Sequence, residues 1–275
     1  MIFSGDAQAA FSAAYPDRPA KLSHGLVDHP LFGLDRLARL AEALPEDRLE
    51  YNRGALSVSQ DPGAVPVTGL SAKATVLSIE ENGSWMVMKN VERDPDYAAL
   101  MEAALGELDA VIGPATGARH ACEAFVFLSS PGSVTPFHMD PEHNILCQIR
   151  GTKTMRIYDR EAGLVPPEKH EAFHAGGHRN LAYEDRFDDH SEAFGLAAGD
   201  AVHVPCKAPH WVQNGEGVSA SFSITWRSEV SAAEGDLHRM NAWLRGKGVS
   251  PKPPGQGADA VKRFAYRGLR RAGLV

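Results

Sequence analysis

The feature that most constrains the fold of this chain is a series of short β-prone segments in its middle part. Five of them are rich in β-branched and aromatic residues and are separated by turn residues: 123–129, 144–149, 153–158, 201–204 and 218–226. The segments do not alternate with helices in a βαβ order, so a parallel sheet is disfavoured. The pattern predicts a mainly β protein with a core of the jelly-roll kind, in which two antiparallel sheets pack together and helices lie outside them.

Apolar residues at helical spacing flank this region on both sides. The predicted helices are a leucine stripe from Leu34 to Leu44, a segment from Tyr97 to Ile112 that begins after Asp94-Pro95, and two C-terminal segments, about 230–245 and 258–271. A linker rich in Pro and Gly, 250–257, separates the last two. We therefore predict one domain over 1–228, with an N-terminal helical and mixed portion at 1–120 and a β core at about 121–228. A helical extension follows at 229–275.

The composition is that of an ordinary globular protein, with 43% hydrophobic and 23% charged residues in a chain of 275. No stretch approaches the roughly 18 uninterrupted apolar residues that a membrane span needs. The start of the chain, Met1 to Asp6, lacks the basic segment and apolar run of a secretory signal. The three cysteines lack the spacing of a disulfide framework or a structural zinc site. The sequence therefore predicts a cytoplasmic protein without membrane contact.

Charge is distributed unevenly along the chain. The formal net charge of −7 disfavours nucleic-acid binding over most of the surface. Residues 251–275, however, hold six basic residues and one acidic residue, a net charge of +5 that leaves −12 for the rest. We interpret this basic segment as the solvated face of a terminal helix that packs on the acidic body or on a second subunit. A nucleic-acid contact is the alternative.

Three residues from two β segments predict a metal site. His138 and Asp140 are two residues apart, and residues i and i+2 of an extended strand point to the same face. His210 follows another short strand and the bend 205–209, so it can supply a third ligand. Two histidines and one carboxylate on one side of a metal form the facial triad of non-haem Fe(II) oxygenases, which leaves three octahedral positions open. A bidentate 2-oxo acid fills two of these positions, and O₂ takes the third.

A candidate site for the cosubstrate lies on the next β segment. If Arg150-Gly151 forms a two-residue hairpin turn, Gln148 lies opposite Lys153, and the side chains of Asn144 and Lys153 share one face. On this interpretation Lys153 holds the distal carboxylate of a dicarboxylate ligand, and Asn144 bonds near the metal. A shift of register by one residue reverses the face, so an outward-facing Lys153 is the alternative.

The sequence around these residues resembles the JmjC hydroxylases of the cupin superfamily, including the asparaginyl hydroxylase of hypoxia-inducible factor. The similar runs are 135–144, 148–153 and 199–205, the last leading to His210. The resemblance implies a double-stranded β-helix fold and three iron ligands: His138, Asp140 and His210. It also implies that Lys153 and Thr135 lie at the distal carboxylate of 2-oxoglutarate, with Asn144 close to the cosubstrate.

The resemblance is uneven along the chain, covering about 122–226 well. Where the asparaginyl hydroxylase has an asparagine on its last core strand, this chain has Ser221 and Ser223. The N-terminal half is similar only in outline to bacterial cupin-like JmjC proteins. The C-terminal extension resembles the dimerising tail of related hydroxylases, which implies a homodimer formed through C-terminal helices.

A second pattern competes with this site. His170 and His174 belong to an HExxH sequence, which on a helix is typical of zinc peptidases. Prolines before it and glycines after it confine any helix to about two turns, and the position expected for the third ligand of a metzincin carries Asn180. We interpret His170, His174 and His178 as part of a polar insertion between core strands, near the mouth of the pocket.

Together these patterns predict an Fe(II)- and 2-oxoglutarate-dependent dioxygenase that hydroxylates a C–H bond. A protein side chain is the preferred substrate, and this preference comes from the resemblance. N-methyl demethylation and oxygenation of a small molecule at the same site are alternatives. Cupin metal chemistry without 2-oxoglutarate is another, and it needs no clamp at Lys153. A non-catalytic cupin that binds a ligand or acts in transcription is the alternative from a different class.

Overall fold

Helices occupy both ends of the chain, and most strands lie in the middle. The computed structural model describes residues 1–274, and Val275, the last residue of the predicted extension, lies outside the described residues. The helices are α1 Gly5–Ala14, α2 Leu34–Ala43, α3 Ala72–Leu77, α4 Pro95–Gly106, α5 Asp109–Thr116, α6 Pro167–His174, α7 Glu229–Gly246 and α8 Asp259–Arg271. The strands are β1 Ala20–Ser23, β2 Leu49–Arg53, β3 Ser84–Lys89, β4 His120–Ser129, β5 Val134–His138, β6 His143–Arg150, β7 Lys153–Tyr158, β8 Ser191–Leu196, β9 Asp200–Val204, β10 His210–Asn214 and β11 Ser219–Arg227.

The strands form two sheets in which every neighbouring pair is antiparallel. The large sheet has seven strands in the order β1-β9-β6-β11-β4-β3-β2, and the small sheet has four in the order β5-β10-β7-β8. The inner faces of the two sheets enclose an apolar cluster that includes Leu146, Met155 and Val212. Two packed antiparallel sheets with helices outside them confirm the predicted jelly-roll core.

Strand β6 shows how the sequence separates an inner core from an outer one. Successive side chains of a strand point to opposite faces, so Asn144 and Gln148 lie on the same inner face as Leu146. The alternate side chains belong to the outer core, beneath α1, α2 and α4. These outer residues are Ile145, Cys147 and Ile149. Because both faces are covered, nearly the whole strand is buried.

The predicted hairpin between β6 and β7 is wrong. The two strands lie in different sheets, since β6 pairs with β9 and β11 while β7 pairs with β8 and β10. Gly151 carries the chain across with a φ of 73°, and a Cβ there would lie 2.2 Å from the carbonyl oxygen of Val218. The predicted set of inward-facing residues is nevertheless found between the sheets, because the two strands face each other across the interior.

The predicted helix from Tyr97 to Ile112 is also interrupted. It begins as expected, with the Asp94 side chain accepting a hydrogen bond from the Asp96 N–H. The chain then leaves α4 at Gly106 and starts α5 at Asp109. Glu107 lies in the break, where its carboxylate accepts the N–H groups of Ile2 and Phe3 at 2.6 and 2.8 Å. The break between the two helices thus coincides with the residue that anchors the N-terminal segment.

Helix α7 joins the C-terminal extension to the β core. It begins with a capping box, in which the side chains of Ser228 and Ser231 each accept the other residue's N–H. One side of α7 packs against α6 and another against α8. The predicted leucine-rich helix and the two C-terminal helices are confirmed, with ends within one residue of expectation.

Candidate metal centre

Strand β5 carries the first candidate ligand, and a bulge sets its direction. His138 pairs with His210 and Thr135 pairs with Val212, so three steps along β5 match two steps along β10. The extra residue is a β-bulge, which reverses the alternation of side chains on one strand. As a result both Thr135 and His138 line the cavity between the sheets, while Phe137 packs on the outer face.

The three predicted ligands come together at the end of the small sheet. His138 Nε2 and His210 Nε2 each lie 3.7 Å from Asp140 Oδ2. All three ligand atoms lie within 4.8 Å of one another, and this is the single His, Cys, Asp and Glu group of that kind in the described residues. Strand β5 ends at His138, so Asp140 is not oriented by strand alternation as the sequence suggested.

Asp140 is held instead by two hydrogen bonds from distant parts of the chain. Its backbone oxygen accepts the Lys207 N–H at 2.7 Å, and its Oδ1 accepts Arg179 Nη1 at 2.6 Å. This arrangement leaves Oδ2 turned toward the histidines. Burial opposes ionisation of Asp140, but the charge of Arg179 and the neighbouring histidines outweigh it and hold the carboxyl pKa below its usual value.

Both histidines present Nε2 because the other ring nitrogen is occupied. His138 Nδ1 bonds the carbonyl oxygen of Pro136 at 2.7 Å, and His210 Nδ1 bonds that of Ala208 at 2.9 Å. In each case a carbonyl acceptor fixes the proton on Nδ1, which leaves a lone pair on Nε2 for a metal. Burial, followed by the nearby His210, lowers the pKa of His138 to about 3, so its ring is neutral near pH 7.

A cavity of about 270 Å³ opens in front of this group. The predicted residues Thr135 and Asn144 line it together with His138 and Asp140. Asn144 is buried, and its Oδ1 accepts the Ser223 hydroxyl at 2.7 Å. The other wall is formed by the strands β2, β3 and β4 and contains three aromatic side chains: Trp85, Phe125 and Phe127.

Lys153 occupies a different part of the interior. It does not line this cavity but borders a depression of about 420 Å³ near Asn214. Its residue is 6% exposed, and it shares the inner face of β7 with the buried Met155. Burial alone lowers the pKa of Lys153 to about 7, since none of the described charged groups compensates the ammonium. The Lys153 side chain therefore points inward, as predicted.

Strand pairing relates Lys153 to the metal ligands. His210 pairs with Ile157 across β10 and β7, whereas Asn214 pairs with Lys153. Each pair of opposed residues forms a row across the small sheet, and these two rows are four residues apart, about 13 Å along the strands. The row between them contains Thr135, Val212 and Met155. Thr135 thus lies between the predicted metal end and the predicted carboxylate end of one interior.

The HExxH histidines lie away from this centre. They belong to α6 and pack against α7, with His238 stacked between them at centroid distances of 5.4 Å from His170 and 5.0 Å from His174. Their glutamate, Glu171, is engaged by Arg245 at 2.6 Å. His178 follows α6 and lines the cavity. The predicted place near the pocket is therefore found for His178, whereas His170 and His174 lie between helices α6 and α7.

Arg179 is the residue of the site that sequence reasoning missed. It stands 39 positions from Asp140, in a segment crossing the cavity, and no spacing pattern connects the two. The same segment is tied to β5 by an isolated bridge between Asn180 and His138. A basic residue beside the histidines of the insertion was the sole signal available in the sequence.

The comparisons with known proteins agree with this fold. Residues 37–232 match the profile of a family described as a cupin-like domain. Because this match covers more than half of the chain, the chain belongs to that family. Two antiparallel sheets around a His-Asp-His group define the same class of protein, and the resemblance to JmjC proteins is confirmed.

Curated relatives match parts of the chain. JmjC domain-containing protein D of Dictyostelium discoideum is 31% identical over 111 residues, which is 37% of this chain and 24% of that protein. Lysine-specific demethylase 8 of Xenopus tropicalis is 28% identical over 141 residues, 48% of this chain and 28% of the relative. The matched regions span about a quarter of these relatives.

Solved structures show the same fold over nearly the full chain. The X-ray structure of E. coli ycfD has a TM-score of 0.55 at 15% identity and covers 97% of this chain and 67% of that one. The structure described as YcfD, a ribosomal oxygenase, in complex with cobalt and 2-oxoglutarate has a TM-score of 0.53 at 15% identity, with coverage of 100% and 68%. Among the described residues, no helix combines the length and apolar character needed to cross a membrane.

Proposed function

We propose that this chain is an Fe(II)- and 2-oxoglutarate-dependent dioxygenase that hydroxylates a C–H bond on a protein side chain. The observation that carries the proposal is the group His138, Asp140 and His210, whose ligand atoms lie within 4.8 Å of one another, with His138 and Asp140 lining a cavity. When bound, Fe(II) with 2-oxoglutarate and O₂ supplies the oxidising power that no amino-acid side chain has. The chain's own residues bind and orient these groups.

The residues present fit the metal. Two imidazoles that present Nε2, with Nδ1 bonded to a backbone carbonyl, and one ionised carboxylate with a free Oδ2 are the donor set of the facial triad. Hydrogen bonds to the rings and to Asp140 Oδ1 fix these donors before a metal binds. His138, Asp140 and His210 would therefore hold Fe(II), and the cavity would leave its remaining positions open to ligands.

The residues also fit a dicarboxylate. Lys153 offers a buried ammonium without a compensating charge, and such a group is costly unless an anion joins it. Its row on the small sheet lies beyond that of Thr135 as seen from the metal ligands. We propose that Lys153 and Thr135 hold the distal carboxylate of 2-oxoglutarate and that Asn144 lies beside the cosubstrate near the metal. YcfD has been described with cobalt and 2-oxoglutarate on the same fold.

The cavity wall favours a substrate that carries positive charge. Its acidic lining residues are Glu50, Glu123, Asp140 and Glu142, and its basic ones are Lys89 and Arg179. Lys89 is paired with Glu50 at 2.6 Å, Arg179 with Asp140, and Arg227 with Glu142 at 2.8 Å, so among the described residues Glu123 is the acidic lining residue without an ion pair. Aromatic faces such as Trp85 and Phe127 attract cations as well. A basic side chain of a protein fits this wall, and so does N-methyl demethylation, the activity printed in the name of lysine-specific demethylase 8.

Two further statements belong to the same proposal. We propose a cytoplasmic location, because the free cysteines of the described chain, Cys122, Cys147 and Cys206, suit a reducing compartment. We also propose a homodimer formed through α8, where Val261 and Phe264 are 67% and 80% exposed on one helix. A nucleic-acid contact of its basic residues is the alternative use of this helix.

Succinate formation tests the proposal. Anaerobically Fe(II)-loaded protein is supplied with 2-oxoglutarate, air is admitted, and succinate is measured for wild type, His138→Ala and Lys153→Ala. We expect succinate from wild type and none above background from either variant. Succinate from His138→Ala at the wild-type rate would contradict the metal assignment. Binding of 2-oxoglutarate by wild type without any turnover would instead support a non-catalytic cupin.

A further inference from the structure

We propose that Lys207 and Glu234 are positioning residues of the metal centre, through which helix α7 sets the geometry of Asp140 and His210. The inference rests on the proposed metal site. It assigns the C-terminal extension a part in that site, in addition to any role in dimerisation.

The backbone of Lys207 connects two of the three ligands. Lys207 lies in the bend before β10 with a φ of 63°, in the left-handed region that residues other than glycine rarely adopt. In this conformation its N–H donates to the Asp140 carbonyl oxygen at 2.7 Å. The next residue, Ala208, provides the carbonyl that fixes the ring of His210. A change at residue 207 would therefore move both ligands.

The side chain of Lys207 is what holds this conformation. Its ammonium forms an ion pair with Glu234 of α7, and its side chain is 10% exposed. His238, one turn further along α7, lies with Nε2 3.7 Å from the same carboxylate oxygen. Strained backbone persists where the surroundings fix it from several sides. A partly buried ion pair to an 18-residue helix is such a constraint.

Two other bonds from the same helix region support the arrangement. Arg227, the last residue of β11, donates to Glu142 at 2.8 Å, two residues after Asp140. Near the other end of the helix, Arg245 donates to Glu171 of α6, and α6 leads into the segment that carries Arg179. The last residue of β11 and helix α7 together thus bond to the stretches of chain that follow Asp140, precede His210 and precede Arg179. Of these bonds, the Lys207–Glu234 pair acts on the ligand-bearing bend itself.

The experiment measures cobalt affinity of the full chain. Metal-free protein is titrated with Co²⁺ and followed by visible absorption, which reports the coordination geometry, for wild type, Glu234→Gln, Lys207→Met and the double variant. Asp236→Asn is the matched control, because Asp236 lies on the same helix and is also paired, but with Arg239 and Arg267. Lys207→Arg tests rescue by a retained charge, and thermal unfolding shows which variants are folded.

We expect each single substitution to weaken Co²⁺ binding about ten-fold and to alter the cobalt spectrum, as loss of outer-shell partners does in other metal sites. The double variant should bind no more weakly than the weaker single variant, since the two residues act as one pair. Asp236→Asn and Lys207→Arg should stay within about three-fold of wild type.

Several results would overturn the inference. These are wild-type Co²⁺ affinity and spectrum in folded Glu234→Gln, additive losses in the double variant, or an equal loss in Asp236→Asn. A wild-type protein that binds no Co²⁺, or a His138→Ala variant that binds it equally well, would overturn the proposed function itself. The two failures are therefore distinguishable, and neither depends on turnover.

Discussion

The two ends of the interior between the sheets are built on opposite principles. At one end, each donor of the group His138, Asp140 and His210 is oriented by a hydrogen bond, and the charge of Asp140 is matched by Arg179. At the other end, Lys153 is buried without a compensating charge. The first end is organised before any ligand arrives, whereas the second carries an electrostatic penalty that an anion would relieve.

The metal end should show the largest effect. Replacing a donor by His138→Ala is expected to weaken Co²⁺ binding by more than about 100-fold, because loss of a direct ligand exceeds the 10–100-fold cost of losing an outer-shell partner. Titration followed by visible absorption measures this change. The control is His178→Ala, which removes an exposed histidine from the same cavity and should leave the affinity within about three-fold. Equal losses of Co²⁺ affinity in the two variants would contradict the assignment of His138 as a direct ligand, and with it the contrast between the two ends.

At the other end, we expect Lys153 to affect the free energy of unfolding. Burial holds the folded pKa of Lys153 at about 7, below its ordinary value of 10.5, so the unfolded chain binds this proton more tightly. The penalty is therefore complete below about pH 7 and disappears as the pH rises toward 10.5. Lys153→Met removes it, so the variant should be stabilised most at low pH.

Denaturant unfolding at two pH values measures this effect. The stability gained by Lys153→Met should shrink by about 2–3 kcal/mol between pH 6 and pH 9. Lys73→Met, which removes a half-exposed lysine paired with Glu42, should give a difference that hardly changes with pH. If the unfolding free energy gained by Lys153→Met were equally independent of pH, the Lys153 ammonium would have to be exposed or compensated by another charge.

The same titration should govern the cosubstrate. An anion binds the protonated form of Lys153, so 2-oxoglutarate affinity of the Co²⁺-loaded protein should fall as the pH rises above about 7, by up to ten-fold per pH unit. Calorimetry from pH 6 to pH 9 measures this dependence. Lys153→Met should bind weakly with a flat profile. A wild-type profile as flat as that of the variant would separate Lys153 from the cosubstrate.

Much of this site could be predicted from the sequence, because the donor types and their local spacing are readable. His138 and Asp140 are neighbours in the chain, and His210 follows a recognisable strand and bend. The inward direction of Lys153 was predicted through a hairpin that does not exist. Alternation of side chains gives the same inward set whether two strands pair in one sheet or face each other across two, so the sequence pattern does not distinguish these arrangements.

Other parts depend on contacts between residues far apart in sequence. The bond from Arg179 to Asp140 and the ion pair of Lys207 with Glu234 leave no periodic signal. The bulge in β5 adds one residue without changing the composition of the strand. At the break between α4 and α5, Glu107 accepts the N–H of Phe3, 104 residues away. Such features depend on contacts in the packed structure and not on the local sequence of one element.

The smallest predicted effect compares two serines of β11. Ser223 donates to Asn144 Oδ1 and Ser221 donates to Gln148 Oε1, both at 2.7 Å. Replacing either by alanine should cost about 1 kcal/mol of unfolding free energy, as loss of one buried hydrogen bond does. Only Ser223→Ala should also weaken 2-oxoglutarate binding, by about three-fold, because Asn144 lines the cavity. Calorimetry measures the 2-oxoglutarate affinity of both variants, and denaturant unfolding measures their stability. Equal losses of affinity would contradict the assigned place of Asn144.

Binding of 2-oxoglutarate tests most directly the claim that the two ends serve one ligand. Calorimetry is performed on wild type with and without Co²⁺, on Lys153→Met with Co²⁺, and on His138→Ala with Co²⁺. We expect tight binding in one case, the Co²⁺-loaded wild type, and binding at least ten-fold weaker in the other three. Equal affinity with and without metal, or in Lys153→Met, would show that the two ends do not hold the same molecule.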